Sequence, residues 1–295
     1  MTEINPQYLP LSGKPFTISM GLRSLDLANW LEFDDHFAAE IDLKIGLYQS
    51  KPDQVFAHLD RSLAGSTETL ALIKQHLDEH PEVASADRNL LVEGLPEELA
   101  EHPLVKASLL VQEDLCVMSK IDGQWVLTAA SVCFPSRWDL TEKIGTSLAQ
   151  IHAPVPHYAE RIGQATEAMF DKFEVDRPVW RLNWTILDSP ELFQPNSSLR
   201  RMELSEDLNK FAQQIFLRIE RQTLRVLPET KDVLFTIRTY VDSLANIAQR
   251  YPDFQQNLAP TLLAASEQTR EYKGWPPLWE RLISWSNLAN NLADG

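Results

Sequence analysis

Five strand-like runs in a fixed order constrain this chain more than any other feature. LLVQEDLCVMSK (109–120) and QWVLTAASVCF (124–134) are joined through Ile121-Asp122-Gly123. Asp-Gly is a strong hairpin signal, because both residues tolerate the positive φ angles of a tight primed turn. PVWRLNWTIL (178–187), FLRIERQTLRVL (216–227) and VLFTIRTYV (233–241) follow later, and Pro228-Glu229-Thr230-Lys231-Asp232, between the last two, has turn composition. Helical patterning fills the interval between the first two runs and the last three. Short turns join antiparallel neighbours, so the pattern predicts an α+β fold built on an antiparallel five-stranded sheet with a helical insert.

That order is the layout of a PAS-like domain, in which the insert covers one face of the sheet and encloses a pocket. The insert starts in CFPSRWDLTEKIGTSLAQIHAPVPHY (133–158). The chain turns at Pro135-Ser136, and Asp139 with Glu142 three residues on reads as a helix start. Leu140, Ile144, Leu148 and Ile151 recur at helical spacing, and Pro154 stops the helix near Ala153. His152 therefore falls in the last turn at the edge of the apolar face, and His157 follows the Pro-Val-Pro spacer. A second helix is predicted from Ala159 to Phe173. An imidazole at the end of an apolar helix suits an axial haem ligand, since its neutral nitrogen donates to iron in a dry pocket. It equally suits a core or helix-capping histidine, and the pattern leaves both open.

Flanking segments divide the chain into 1–108, a mostly helical N-terminal extension; 109–241, the PAS-like core; and 242–295, a C-terminal helical extension packed on that core. Leu70, Leu72, Ile73 and Leu77 form a helical stripe in the first, which reads as a peripheral layer. His58, His76, His80 and His102 lie on polar ground and read as surface histidines. The net charge of −15 argues against a nucleic-acid-binding surface, which needs concentrated Lys and Arg, and disfavours anionic membranes. Two cysteines, Cys116 and Cys133, provide neither a disulfide framework nor an iron–sulfur signature and read as small buried hydrophobes. Without a basic, apolar leader or a membrane-length apolar run, a cytoplasmic location is expected.

Strand side chains alternate between faces, so the three late runs can be sorted by parity. Trp180, Leu182, Trp184 and Ile186 share one side, as do Leu217 and Ile219, and Val233, Phe235, Ile237 and Val241. The other parity collects Arg181, Asn183 and Thr185; Arg218, Glu220 and Gln222; and Thr236, Arg238 and Tyr240. Arg221 falls on the apolar side of its run. The polar set reads either as the solvated face of a sheet or as a pocket whose arginines hold an acid group.

Several of these strings resemble the haem-dependent oxidative N-demethylase family, alpha-subunit type: VQEDLCVM, CFPSRWDLTEKIG with IHAPVP, RLNWTI, LRIERQTLRVLPETKDVLFTIRTY, and the early MGLRSLD with WLEFD. The resemblance runs from near Pro15 to Tyr240. It implies haem b (iron) held by a histidine, with His152 the leading metal ligand and His157 the reserve. It implies electrons from NADPH through FMN and an iron–sulfur cluster on a partner reductase. With O2 these would oxidise an N-methyl group of a small secondary amine such as dimethylamine, releasing formaldehyde. Glu220 is the catalytic candidate, orienting the cationic amine or taking its proton. Arg218, Arg221 and Arg238 are assigned to propionates or to fixing Glu220, and Trp184 and Tyr240 to shaping the pocket. The other readings are a haem or small-ligand PAS sensor that turns nothing over, and an interaction protein with a vestigial pocket.

Overall fold

The computed structural model describes residues 4–9, 21–81, 94–155, 164–195 and 203–293. One antiparallel sheet runs through them. Its strands are β1 (Arg23–Ser24), β2 (Phe56–His58), β3 (Asp114–Ile121), β4 (Gln124–Ser131), β5 (Val179–Leu187), β6 (Phe216–Val226) and β7 (Val233–Ser243), in the order β1-β5-β6-β7-β3-β4-β2. The five strand-like runs are β3 to β7. The sheet has seven strands rather than five because the N-terminal segment adds a short strand to each edge, β1 on β5 and β2 on β4. The β3–β4 hairpin turns at Asp122 (φ 50°) and Gly123 (φ 84°), the left-handed pair that an Asp-Gly turn requires.

Pairing fixes which side chains share a face. Asn183 opposes Glu220, which opposes Thr239; Arg181 opposes Gln222, which opposes Ile237. One face therefore carries Arg181, Asn183, Thr185, Arg218, Glu220 and Gln222 together with the apolar residues of β7. Here the parity sorting is corrected: Thr236, Arg238 and Tyr240 lie on the opposite face, beside Arg221 and Ile219. Periodicity orders residues within a strand, but the phase between strands is set by the turn, which here pairs Val226 with Val233.

Both faces are covered, so charged residues in β6 and β7 are buried on either side. On the Glu220 face, Leu140, Leu148 and Phe170 of the insert pack on Cys116, Met118, Leu127, Leu224 and Val233. On the other face, helices Phe37–Ser50, Leu63–Glu79 and Pro103–Ser108 cover Leu115, Val117 and Leu234. Beside them, helices Leu208–Gln214, Leu244–Arg250, Asp253–Leu263 and Trp279–Ala293 cover Trp184, Ile186, Leu217 and Ile219. Gly65 lets the 63–79 helix lie against the sheet, for a Cβ there would come 3.2 Å from Val117 and closer still to Asp232.

The insert is not the single helix that its spacing predicts. A 3-10 turn at Leu140–Glu142, capped by Asp139 through Thr141 N–H, ends before Gly145 at φ 74°. A separate helix, Leu148–His152, then starts in a capping box: the Ser147 hydroxyl accepts from Gln150 N–H, and the Gln150 side chain accepts from Ser147 N–H. The left-handed glycine and the capping serine override the stripe. Helix Gln164–Phe170 is the described part of the second insert helix, whose start at Ala159 lies outside the described residues.

Two histidines read as surface residues are buried, His76 and His102, the latter because its Nδ1 caps a helix by accepting from Leu104 N–H. Both cysteines are buried. No helix among the described residues is long and apolar enough to cross a membrane.

Candidate functional site

His152 closes its short helix half-buried, and its ring Nδ1 lies 2.9 Å from the carbonyl oxygen of Leu148. A carbonyl only accepts, so Nδ1 carries the proton and the lone pair of the neutral ring is on Nε2. Burial pulls the imidazole pKa below its ordinary value, and the charges of Arg181 and Lys143 act in the same direction. The ring is therefore held neutral and in one tautomer, as a metal-ligating histidine requires. His157 lies outside the described residues.

Arg181 links His152 to the polar patch of the sheet. Across the β5–β6 pair, Glu220 Oε2 accepts from Asn183 Nδ2 at 3.1 Å and from Gln222 Nε2 at 2.9 Å. Glu220 is buried, whereas Arg181, Asn183 and Gln222 are half-buried although β6 is a central strand. Arg181 Nε and Thr185 Oγ1, on the same face, are buried without hydrogen-bond partners. The Nε atoms of Arg218 and of the far-face Arg221 and Arg238 are likewise without partners, so this feature does not by itself single out the Glu220 face.

Arg218 shares that face, but its guanidinium is spent on backbone. Nη2 donates to Phe134 O at 2.6 Å, and Nη1 to Leu192 O and Glu191 O at 3.2 and 3.3 Å. Beside it, Asp114 accepts from Cys133 N–H and Phe134 N–H at 2.8 and 2.9 Å. Burial raises the Asp114 pKa to about 6, against the lowering effect of Lys44. Together Arg218 and Asp114 hold the CFPS loop at the mouth of the insert.

Arg221, Arg238 and Tyr240 do not stand with Glu220. They project from the opposite face into the N-terminal segment. Arg238 donates to Glu40 at 2.8 Å and to Asp34 at 2.6 Å. Arg221 donates to Trp30 O at 3.0 Å and lies 3.3 Å from Glu32, which also accepts from the hydroxyls of Tyr8 and Tyr240. Gln112 bridges Asp34 and Glu40. WLEFD, RIERQ and FTIRTY, distant in sequence, thus meet in one buried ion network. Trp184 is on this far face too, stacked on Trp275 with ring centroids 5.6 Å apart.

Sequence reasoning missed Lys273. Its Nζ donates to Trp184 O at 2.6 Å, and its charge interacts with Glu220 and Arg181. Burial brings its pKa down to about 8, with Glu220 opposing the shift and Arg181 adding to it. The C-terminal extension therefore borders the site as well as packing beneath the sheet. No local motif marks it.

A sequence model described as haem-dependent oxidative N-demethylase, alpha subunit-like, matches residues 21–283. This chain belongs to that family. The match takes in both edge strands, the insert, the buried ion network and Lys273. In this N-demethylase-like chain the Glu220 face carries the residue types that a haem site uses. The insert supplies an apolar wall, His152 an imidazole with its lone pair on Nε2, and Arg181 a guanidinium whose Nε has no hydrogen-bond partner. Among the described residues no group of three His, Cys, Asp or Glu side chains is arranged to hold a metal ion, whereas haem iron asks the protein for only one or two ligands.

Proposed function

We propose that the chain is the haem-carrying subunit of an oxidative N-demethylase acting on a small secondary amine. The family supports haem dependence and N-demethylation. The single observation that supports this site is that His152, in the insert, lies within electrostatic reach of Arg181, which shares a sheet face with Glu220 and interacts with it. Within the seven-stranded sheet, β3 to β7 read as the PAS-like unit: a leading hairpin, the insert, and a three-strand meander whose last strand pairs with the first.

His152 would hold the iron, and a haem bound there would supply the centre at which O2 is reduced while the N-methyl group is oxidised. The remaining chemistry belongs to the chain. Methylamines are cations near neutral pH, and the Glu220 carboxylate, aligned by Asn183 and Gln222, would orient the ammonium or take its proton. For dimethylamine the overall change balances: amine, O2, two electrons and two protons become methylamine, formaldehyde and water. The electrons would come from NADPH through FMN and an iron–sulfur cluster on a partner reductase, consistent with the family's description as a subunit. A reducing cytoplasm suits the two buried thiols.

The test is formaldehyde release from dimethylamine by the haem-loaded protein with O2 and a competent reductase. Formaldehyde and methylamine in equal amounts are expected. Stable haem that binds O2 with no formaldehyde would assign the chain to the sensor class.

A further inference from the structure

We infer that a cavity on the far side of the sheet from Glu220 binds a small zwitterionic amino acid, its carboxylate on Arg225 and its ammonium on Glu79. The inference goes beyond the haem reading and does not depend on it.

The cavity has a volume of about 130 Å³ and lies where helix Leu63–Glu79, the 3-10 turn Leu27–Asn29 and the end of β6 meet. A cavity of about 150 Å³ takes benzene, so this one has room for about six heavy atoms, the size of alanine. Leu27, Ala28 and Leu72 give it an apolar side, and Arg225 and Glu79 supply its charges.

Arg225 is the decisive group. Its guanidinium lies over the Trp30 ring, 4.6 Å from the centroid, and Trp30 is fixed in turn by Arg221 on its carbonyl and by the His76 ring edge-on at 5.4 Å. Arg218, Arg221 and Arg238 each spend their Nη atoms on carbonyls or carboxylates. Arg225 has no hydrogen bond and no ion pair among the described residues. It is half-buried, and burial pulls its pKa below the ordinary value while Glu79 and Glu68 oppose the shift. A guanidinium that has lost water without gaining an acceptor is unfavourable, and a bound anion relieves it.

Neither neighbouring acid serves. Glu68 is engaged by Glu229 N–H, Thr230 N–H and the Thr230 hydroxyl, at 2.7, 2.9 and 2.8 Å. Glu79 Oε1 accepts from Gln75 Nε2 at 2.8 Å, one turn earlier on the helix, and Glu79 makes no ion pair with Arg225. Opposite charges thus line one cavity without meeting. The Arg225 fork suits a carboxylate, whose two oxygens accept in parallel, and Glu79 suits an ammonium. A ligand of one sign is repelled at one end, an anion by Glu79 and an amine by Arg225, and a dianionic phosphate more strongly. A small amino acid satisfies both groups and leaves its carbon atoms to the leucines.

The experiment titrates the full chain, haem-free and haem-loaded, by calorimetry at pH 7 with alanine, β-alanine, propionate and ethylamine. Wild type, Glu79→Gln, Arg225→Gln and Arg225→Lys are compared. At least one of the two zwitterions should bind wild type at one per chain, about tenfold or more tighter than propionate and ethylamine. Glu79→Gln, a change at an exposed side chain, should reduce that affinity to the level of propionate. Arg225→Gln should reduce it to the level of ethylamine, and Arg225→Lys should keep part of it. No saturable binding of either zwitterion, no preference over the single-charge analogues, or an unchanged preference in Glu79→Gln overturns the inference.

Discussion

His152 and Leu148 are joined by a hydrogen bond from the ring Nδ1 to the carbonyl oxygen one turn earlier, 2.9 Å away. This contact puts the imidazole lone pair on Nε2, and burial keeps the ring neutral. Protons compete with iron for Nε2, and a lowered pKa delays that competition. Haemin affinity should therefore stay level as pH falls from 8 through the ordinary histidine value of about 6.5, and weaken only below it. A titration at half-unit pH steps checks this; affinity that halves at or above the ordinary value contradicts it.

Ser147 sets the helix that carries His152. Ser147→Ala removes the hydroxyl that caps Gln150 N–H, a change that costs roughly 1 kcal/mol at a helix N-terminus. Haemin affinity should fall about fivefold with little change in the global melting temperature. Equal losses in both would show that the capping box serves the fold rather than the ligand.

Glu220→Gln keeps the size of the side chain and an oxygen for Asn183 or Gln222 while removing the charge. Formaldehyde release should fall about a hundredfold, in the range for loss of an acid–base group, with haemin affinity within about twofold of wild type. Parallel loss of haem binding would make Glu220 a structural support.

Arg238 belongs to the far face. It is fully buried between Asp34 and Glu40, and removing one partner of a buried ion pair costs about 3–5 kcal/mol. Arg238→Gln should lower the denaturant midpoint accordingly, while folded variant protein retains the wild-type Soret maximum and haemin affinity. A shifted Soret band would return Arg238 to the haem site.

The sequence marks β3 to β7 and the Asp122-Gly123 turn clearly, because turn chemistry and alternation are local. It also puts Glu220 and His152 forward, since a lone carboxylate in a strand and a histidine before Pro154 stand out. The faces of β7 were not legible. Alternation separates inside from outside only when one face is wet, and here the N-terminal segment covers Arg238 while Tyr8 and the C-terminal helices cover Tyr240. Nor could spacing show that Glu32 and Asp34 would neutralise arginines some two hundred positions away. Lys273 reaches the site through tertiary packing alone.

His102 supplies a pH signature independent of any ligand. Burial, with the neighbouring His58, lowers its pKa to about 4, so between that value and 6.5 the unfolded chain binds a proton that the folded chain does not. Its contribution to stability is therefore lost as pH falls through this window. Asp114, raised to about 6, works in the opposite sense and masks the trend in wild type. His102→Asn keeps a cap for Leu104 N–H and removes the titration. Its stability relative to wild type should rise between pH 7 and pH 5 in paired urea denaturations. A constant difference contradicts the assignment.

Haemin titration of wild type against His152→Ala tests the haem site most directly. Wild type should give a saturable Soret band at one haem per chain. His152→Ala should lose the band or shift it, and added imidazole should restore it. An unchanged band in His152→Ala, with the same affinity and position as wild type, would place the iron on another residue and remove the centre from this face of the sheet.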